Sequence, residues 1–220
     1  MLTADVGGTE HLFVDVARRM REVMKRNINV ISQSSAVDQM SEEMGVTSRQ
    51  GGFASVVLST FFAPTRSLTI CNAGHPPPLL YRSASREWST LKSNMSEIPP
   101  VEVYSGTVEP NEYQRFKLKL DIGDMFLFYS NALAECRQQD GRTLGVDGII
   151  ELIHSLTTTG TRETTLRDLI QSIRDAHQGN LCDEDATVIL SKVTNSRVAM
   201  RDNFLAPFRL IRGTSDRTTF

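Results

Sequence analysis

Residues 53–82 read FASVVLSTFFAPTRSLTICNAGHPPPLLYR. The run from Phe53 to Phe62 is rich in β-branched and aromatic side chains, which suit the pleated, half-buried surface of a strand. Pro64, Thr65, Arg66 and Ser67 supply a turn, and residues 68–72 (LTICN) resume the strand texture, so the pair reads as a hairpin. Pro76, Pro77 and Pro78 cannot donate to a ladder and break the chain again. Residues 79–82 then form a third strand. Strands that follow one another through such short turns pair antiparallel.

Working outward, the same reading extends downstream. Strands are expected at 88–91, 101–105 and 113–120; in the last, Phe116, Leu118 and Leu120 alternate with Lys117 and Lys119. Residues 121–124 (DIGD) make a turn into a buried strand at 125–129. Two helices follow at 146–156 and 163–177, with Ile149, Ile150, Leu152 and Ile153 in one and Leu166, Leu169, Ile170 and Ile173 in the other at helical spacing. Residues 186–193 (ATVILSKV) read as a closing strand. Upstream, residues 12–44 read as helical: Val16, Met20, Val23 and Met24 share one face, and Val37, Met40 and Met44 another, with a break within 27–35. Residues 45–52 are a polar linker. Helix, many antiparallel strands, two helices and a strand describe an α+β fold with layered packing.

Composition narrows the function classes. The chain has 220 residues, enough for one domain with a real core. A formal net charge of −2 provides no overall basic field for nucleic acid or an anionic membrane surface. Arg18, Arg19, Arg21, Lys25 and Arg26 form a basic helix face, a pattern shared by nucleic-acid contacts and by ordinary solvated faces. Cys71, Cys136 and Cys182 are too few, and odd in number, for a disulfide framework. The first residues lack a basic and apolar leader, and no run reaches the roughly 18 apolar residues of a membrane span. These features set the expectation of a cytoplasmic protein. Residues 196–220 read as a basic C-terminal tail, either docked or frayed, behind a domain at 1–195.

Three acidic or amide-bearing spots stand at strand ends or turns: Asp5 in ADVGG, Asn131 in FLFYSNALAE, and Asp183, Glu184 and Asp185 in LCDEDATVIL. Carboxylates crowded before a buried strand repel one another unless a cation meets them. Mg²⁺ and Mn²⁺ prefer carboxylate, carbonyl and water oxygens. Solvated turn acids are the alternative that spacing leaves open.

The order ADVGG, helix, FASVVLSTFF, SLTICNAGHPPPLLYR, LDIGDMFLFYSNALAECR, GRTLGVDGI and DEDATVIL resembles the SpoIIE-like branch of the PPM-type metal-dependent protein phosphatases, from about Ala4 to Val193. NAGHPPPLLYR is the most specific piece, and the ordered set is more specific than any one motif. The resemblance implies a four-layer α-β-β-α sandwich with two Mn²⁺ or Mg²⁺ ions in a cleft between sheet edges. It implies hydrolysis of phosphoserine or phosphothreonine by in-line attack of an activated water, without a cysteine nucleophile. The implied catalytic residues are Asp5, Glu184 and Asp185. The implied metal ligands are those three with the Val6 backbone carbonyl and Asn131. His75, in the family's Asn-Ala-Gly-His motif, is expected to stabilise a turn or edge the cleft. The implied partner is a phosphoprotein substrate, with a phosphorylated anti-sigma factor antagonist or another bacterial signalling relay as the setting.

The sequence departs from the family pattern in several places. Asn131 and Ala132 stand where the family has Asp-Gly, and an amide oxygen binds a hard cation without the charge. Glu184 replaces the first of two paired aspartates, and Gly7, Gly8, Thr9, Glu10 and His11 replace Ser-Gly-His-Gly. The chain starts four residues before Asp5, whereas the family has two earlier strands and a further acidic ligand there. The expectation is therefore either a true start that lies upstream or a truncated domain, whose lost strands would leave an exposed sheet edge. Two readings follow: a metal-dependent phosphatase with altered sites, and a pseudophosphatase that binds a partner without turnover. A third, an unrelated α+β binding domain, requires the ordered motifs to be coincidence.

Overall fold

The computed structural model describes residues 1–7, 10–27, 53–91, 114–159, 162–182 and 185–195. In chain order the elements are β1 (Leu2–Gly7), α1 (Glu10–Asn27), β2 (Phe53–Phe62), β3 (Ser67–Ala73), β4 (Leu79–Arg82), β5 (Glu87–Thr90), β6 (Gln114–Lys119), β7 (Met125–Tyr129), α2 (Asn131–Glu135), α3 (Gly145–Thr159), α4 (Arg162–Ala176) and β8 (Val188–Lys192). They build two antiparallel sheets of four strands, ordered β1-β2-β3-β6 and β5-β4-β7-β8.

The layers follow from side-chain alternation. In β7 every residue is buried, because both of its faces are covered. Met125, Leu127 and Tyr129 point one way, with Leu79 and Trp88, onto Ile149 and Ile153 of α3 and Leu169 and Ile173 of α4. Phe126 and Phe128 point the other way and, with Leu80, meet Val57, Leu68, Ile70 and Phe116 of the first sheet. Burying each of these large side chains contributes about 1.5–3 kcal/mol. Helix α1 packs beside β1 and buries Met20 and Val23. The order is therefore helix, sheet, sheet, helices, the α+β sandwich that the sequence implied. No described helix is long and apolar enough to cross a membrane.

The turns are fixed by polar groups. Asp124, between β6 and β7, accepts hydrogen bonds from the Ser83 amide (2.8 Å), the Ser83 hydroxyl (2.9 Å), the Asp121 amide (3.0 Å) and Arg82 (2.9 Å). Burial alone would raise its pKa, but the Asp121 and Ser83 amides, the Ser83 hydroxyl and Arg82 outweigh that and hold it below the usual 3.8. Arg82 also donates to the Lys119 carbonyl at 3.0 Å, which stitches the second sheet to the end of β6 in the first.

Several boundaries differ from the sequence expectations. The helical signal at 12–44 is realised as Glu10–Asn27, while residues 28–44, the linker at 45–52, the strand expected at 101–105 and the tail at 196–220 lie outside the described residues. The closing strand begins at Val188 rather than 186, since Thr187 donates to the Ser130 hydroxyl (3.0 Å) instead of a strand carbonyl. The short helix α2 carries Asn131 at its first position.

Candidate metal and active site

Strand β1 lies against β2 in a register that pairs Asp5 with Ser55. Beyond the end of β7 the chain turns into α2, whose first residue is Asn131. The Asn131 amide donates to Asp5 Oδ2 at 2.7 Å, so two site residues 126 positions apart meet through a charge-assisted hydrogen bond. Each sheet supplies one member of this pair: β1 ends the first sheet and β7 is central in the second. The site thus sits at the seam between the sheets. The Asp5 side chain keeps 24% of its surface open to solvent.

Asp185 lies in the segment that leads into β8. Thr187, two residues on, accepts from the Ser130 amide at 2.9 Å and donates to the Ser130 hydroxyl at 3.0 Å. The chain that carries Asp185 is thereby fixed beside the residue preceding Asn131. Asp185 itself is exposed. Val6 lies in β1 opposite Ala54. Glu184 lies outside the described residues, as does Asp183.

His75 holds a place that the sequence reading gave only as a turn or cleft edge. Its backbone closes the turn: Asn72 Nδ2 donates to the His75 carbonyl at 2.8 Å and the His75 amide to Asn72 Oδ1 at 2.9 Å. Gly74 adopts φ +70° there, the left-handed region that glycine enters without strain. The ring then runs inward, with Nδ1 at 3.1 Å from Ser55 Oγ and 3.8 Å from Asp5 Oδ2. Burial lowers the imidazole pKa, against the opposing pull of Asp5 and the Tyr129 and Ser55 carbonyls. The ring is therefore neutral at pH 7. Its Nε2 is shielded from water and makes no hydrogen bond of good geometry among the described residues. Ser55 is thus a site neighbour that no motif announced, while His75 stands where the Asn-Ala-Gly-His motif led it to be expected, at a turn and at the edge of the site. The signal for Ser55 was the strand register, which places it across from Asp5.

The donor atoms suit a hard divalent cation in kind: the Asp5 and Asp185 carboxylates, the Asn131 amide oxygen and the Val6 carbonyl are all oxygens. In number they fall short, since no three acid, cysteine or imidazole groups converge among the described residues. The charge falls short as well, because Asn131 is neutral and one Asp5 oxygen already accepts a protein N–H.

Comparison with known proteins agrees with this architecture. The family model described as stage II sporulation protein E (SpoIIE) matches residues 12–194. No curated protein matches the chain. Among solved structures, the RsbU and RsbW domains of a Mycobacterium tuberculosis protein superpose with a TM-score of 0.62 at 21% identity, covering 88% of this chain and 52% of that one. The PP2C phosphatase domain of SpoIIE from Bacillus subtilis, with a fragment of its regulatory domain, gives 0.60 at 12% identity, covering 87% and 53%. The SiaA PP2C domain of Pseudomonas aeruginosa gives 0.64 at 14% identity, covering 88% and 74%. The chain thus spans about half the length of the first two structures. With its fold shared by these phosphatases and its sequence matched over 12–194, the chain belongs to the SpoIIE family of PPM-type phosphatases.

Proposed function

We propose that this chain hydrolyses phosphoserine or phosphothreonine on a protein substrate, with Mn²⁺ or Mg²⁺ held at the seam between the sheets. The observation that carries the reading is the contact of Asp5 with the head of α2, which joins two motifs of the family pattern in space. Asp5, the Val6 carbonyl, Asn131, Glu184 and Asp185 would hold the metal. When bound, it supplies Lewis-acid activation of water and neutralises charge on the phosphoryl oxygens.

The chain's own residues prepare that site. The Asn131 amide fixes one oxygen of Asp5 and so sets the direction of the other. The neutral ring of His75 closes the inner side of the site without adding charge. The Ser130–Thr187 pairing holds the Asp185 segment alongside α2. A phosphorylated antagonist of an anti-sigma factor, within a bacterial signalling relay, is the substrate class in keeping with the RsbU and RsbW domains of the mycobacterial structure.

A second reading is a pseudophosphatase that grips a partner without turnover. It is favoured by the amide of Asn131 and by the engagement of Asp5 Oδ2 with a protein N–H. Hydrolysis of p-nitrophenyl phosphate by the purified chain, with Mn²⁺, Mg²⁺ or chelator and beside Asp5→Ala, separates the two. Metal-dependent turnover that vanishes in the variant is the expected result. Folded protein without turnover supports the second reading.

A further inference from the structure

The first sheet ends on β1, which pairs with β2 and with no other described strand. Its hydrogen-bond parity is fixed at Met1 and Ser59. The Met1 amine donates to the Ser59 carbonyl at 2.8 Å, and the Ser59 amide donates to the Met1 carbonyl at 2.9 Å. Opposite residues in an antiparallel ladder alternate between exchanging both bonds and exchanging none. In the observed register, Thr3, Asp5 and Gly7 therefore turn their amides and carbonyls toward β2, and Leu2, Ala4 and Val6 turn theirs outward. A row of outward amides and carbonyls is a template for another strand.

That edge is complementary to a second copy of itself. A two-fold axis through Ala4, perpendicular to the sheet, sets Leu2 against the second copy's Val6, Ala4 against Ala4, and Val6 against Leu2. Each pair joins outward-facing residues, so the whole row is matched by about six hydrogen bonds. Between these pairs Thr3 faces Asp5, and no two like charges meet. An axis through Asp5 would set two carboxylates face to face, which destabilises a strand pair. An axis through Thr3 would engage only Leu2 and Ala4. The register about Ala4 is the one that uses the full edge without repulsion.

Apolar surface lies open at one end of the same edge. β2 runs past Ser59 to Phe62, and this overhang meets no described strand on the β1 side. Phe61 is 40% exposed, Phe62 52% and Met1 43%. In the register about Ala4 the second copy's Gly7 lies beside Met1, at the end of the sheet where this surface is exposed. We infer that β1 pairs with β1 of a second copy, antiparallel about Ala4, and joins the two first sheets into one continuous sheet across a two-fold dimer.

The test is the mass of the full chain by sedimentation equilibrium over about 1–100 µM, for wild type, Leu2→Pro and Ala4→Pro, with circular dichroism to show that each is folded. Chelator is present throughout, because the Val6 carbonyl enters both this pairing and the proposed metal site. Proline removes an outward amide and no bond to β2, a substitution that edge strands tolerate. By symmetry each variant deletes two bonds across the dimer, so its dissociation constant should rise by about tenfold or more. The expected wild type is a dimer, and both variants shift toward monomer. A wild type that stays monomeric over the whole range overturns the inference without any variant and leaves the edge to a strand of other sequence. A folded Leu2→Pro that dimerises as tightly as wild type overturns it as well, since the copies then meet through another face. Leu2→Pro decides this arm should Ala4→Pro fail to fold, because proline at the first residue of a strand disturbs it least.

Discussion

Asp124→Ala removes the acceptor that holds two turns together, and its cost can be worked from the contacts. Asp124 is 1% exposed and accepts four hydrogen bonds. Two of the donors are backbone amides, of Ser83 and Asp121. Leaving a buried amide without a partner costs about 1–3 kcal/mol, and since Ser83 is half-buried and Asp121 exposed, the lower end applies to each. The Arg82 side chain is 37% exposed, so its ion pair contributes only about 0.5 kcal/mol after screening. The Ser83 hydroxyl can turn to water and adds little. The sum is about 2.5 kcal/mol. Urea unfolding followed by the fluorescence of Trp88, the one tryptophan, measures it directly. The carboxyl is held below its ordinary 3.8 in the folded protein, so its contribution is fully present above that pH and is lost as pH falls through the lower folded value. The gap between wild type and Asp124→Ala should therefore be constant near neutrality and narrow below about pH 4. A difference under about 1 kcal/mol at pH 7, or one that persists undiminished in strong acid, would refute the argument.

Asp5→Ala should abolish metal-dependent turnover and cost about 1 kcal/mol of stability by leaving the Asn131 amide unmatched; phosphatase assay and urea midpoint check the two halves separately. Asn131→Asp should strengthen Mn²⁺ binding in calorimetry, because a carboxylate replaces a neutral oxygen beside Asp5; unchanged affinity would remove Asn131 from the site. Tyr129→Phe should leave stability unchanged or raise it by up to about 1 kcal/mol, since the buried hydroxyl has no partner among the described residues; a loss of similar size would reveal a hydrogen bond to it.

The strands were legible where alternation and turn residues coincided. Phe53–Phe62 and Leu79–Arg82 form as read, and Met125–Tyr129 does too, because an unbroken apolar run of that length fits a strand covered on both faces. The order of motifs carried the layered sandwich, since each family segment fell on the element it implied. Strand β1 has no such texture of its own: LTADVG is too short and mixed, and its pairing with β2 makes it a strand. The approach of His75 to Asp5 spans 70 positions and depends on sheet register, which local pattern does not encode. Of the site itself, the meeting of Asp5 and Asn131 was foreshadowed by resemblance, while Glu184 lies outside the described residues.

The five residues of β7 serve as a party wall between two apolar compartments, one shared with the helices and one with the other sheet. Neither compartment can melt and leave the other intact, because the same strand would lose half its lining. The two should therefore come apart in one all-or-none transition. Probes placed on either side of the wall should then report a single midpoint. A change of shape at any β7 position should be felt across the whole thickness of the molecule, which leaves this strand the least room of any for drift in sequence.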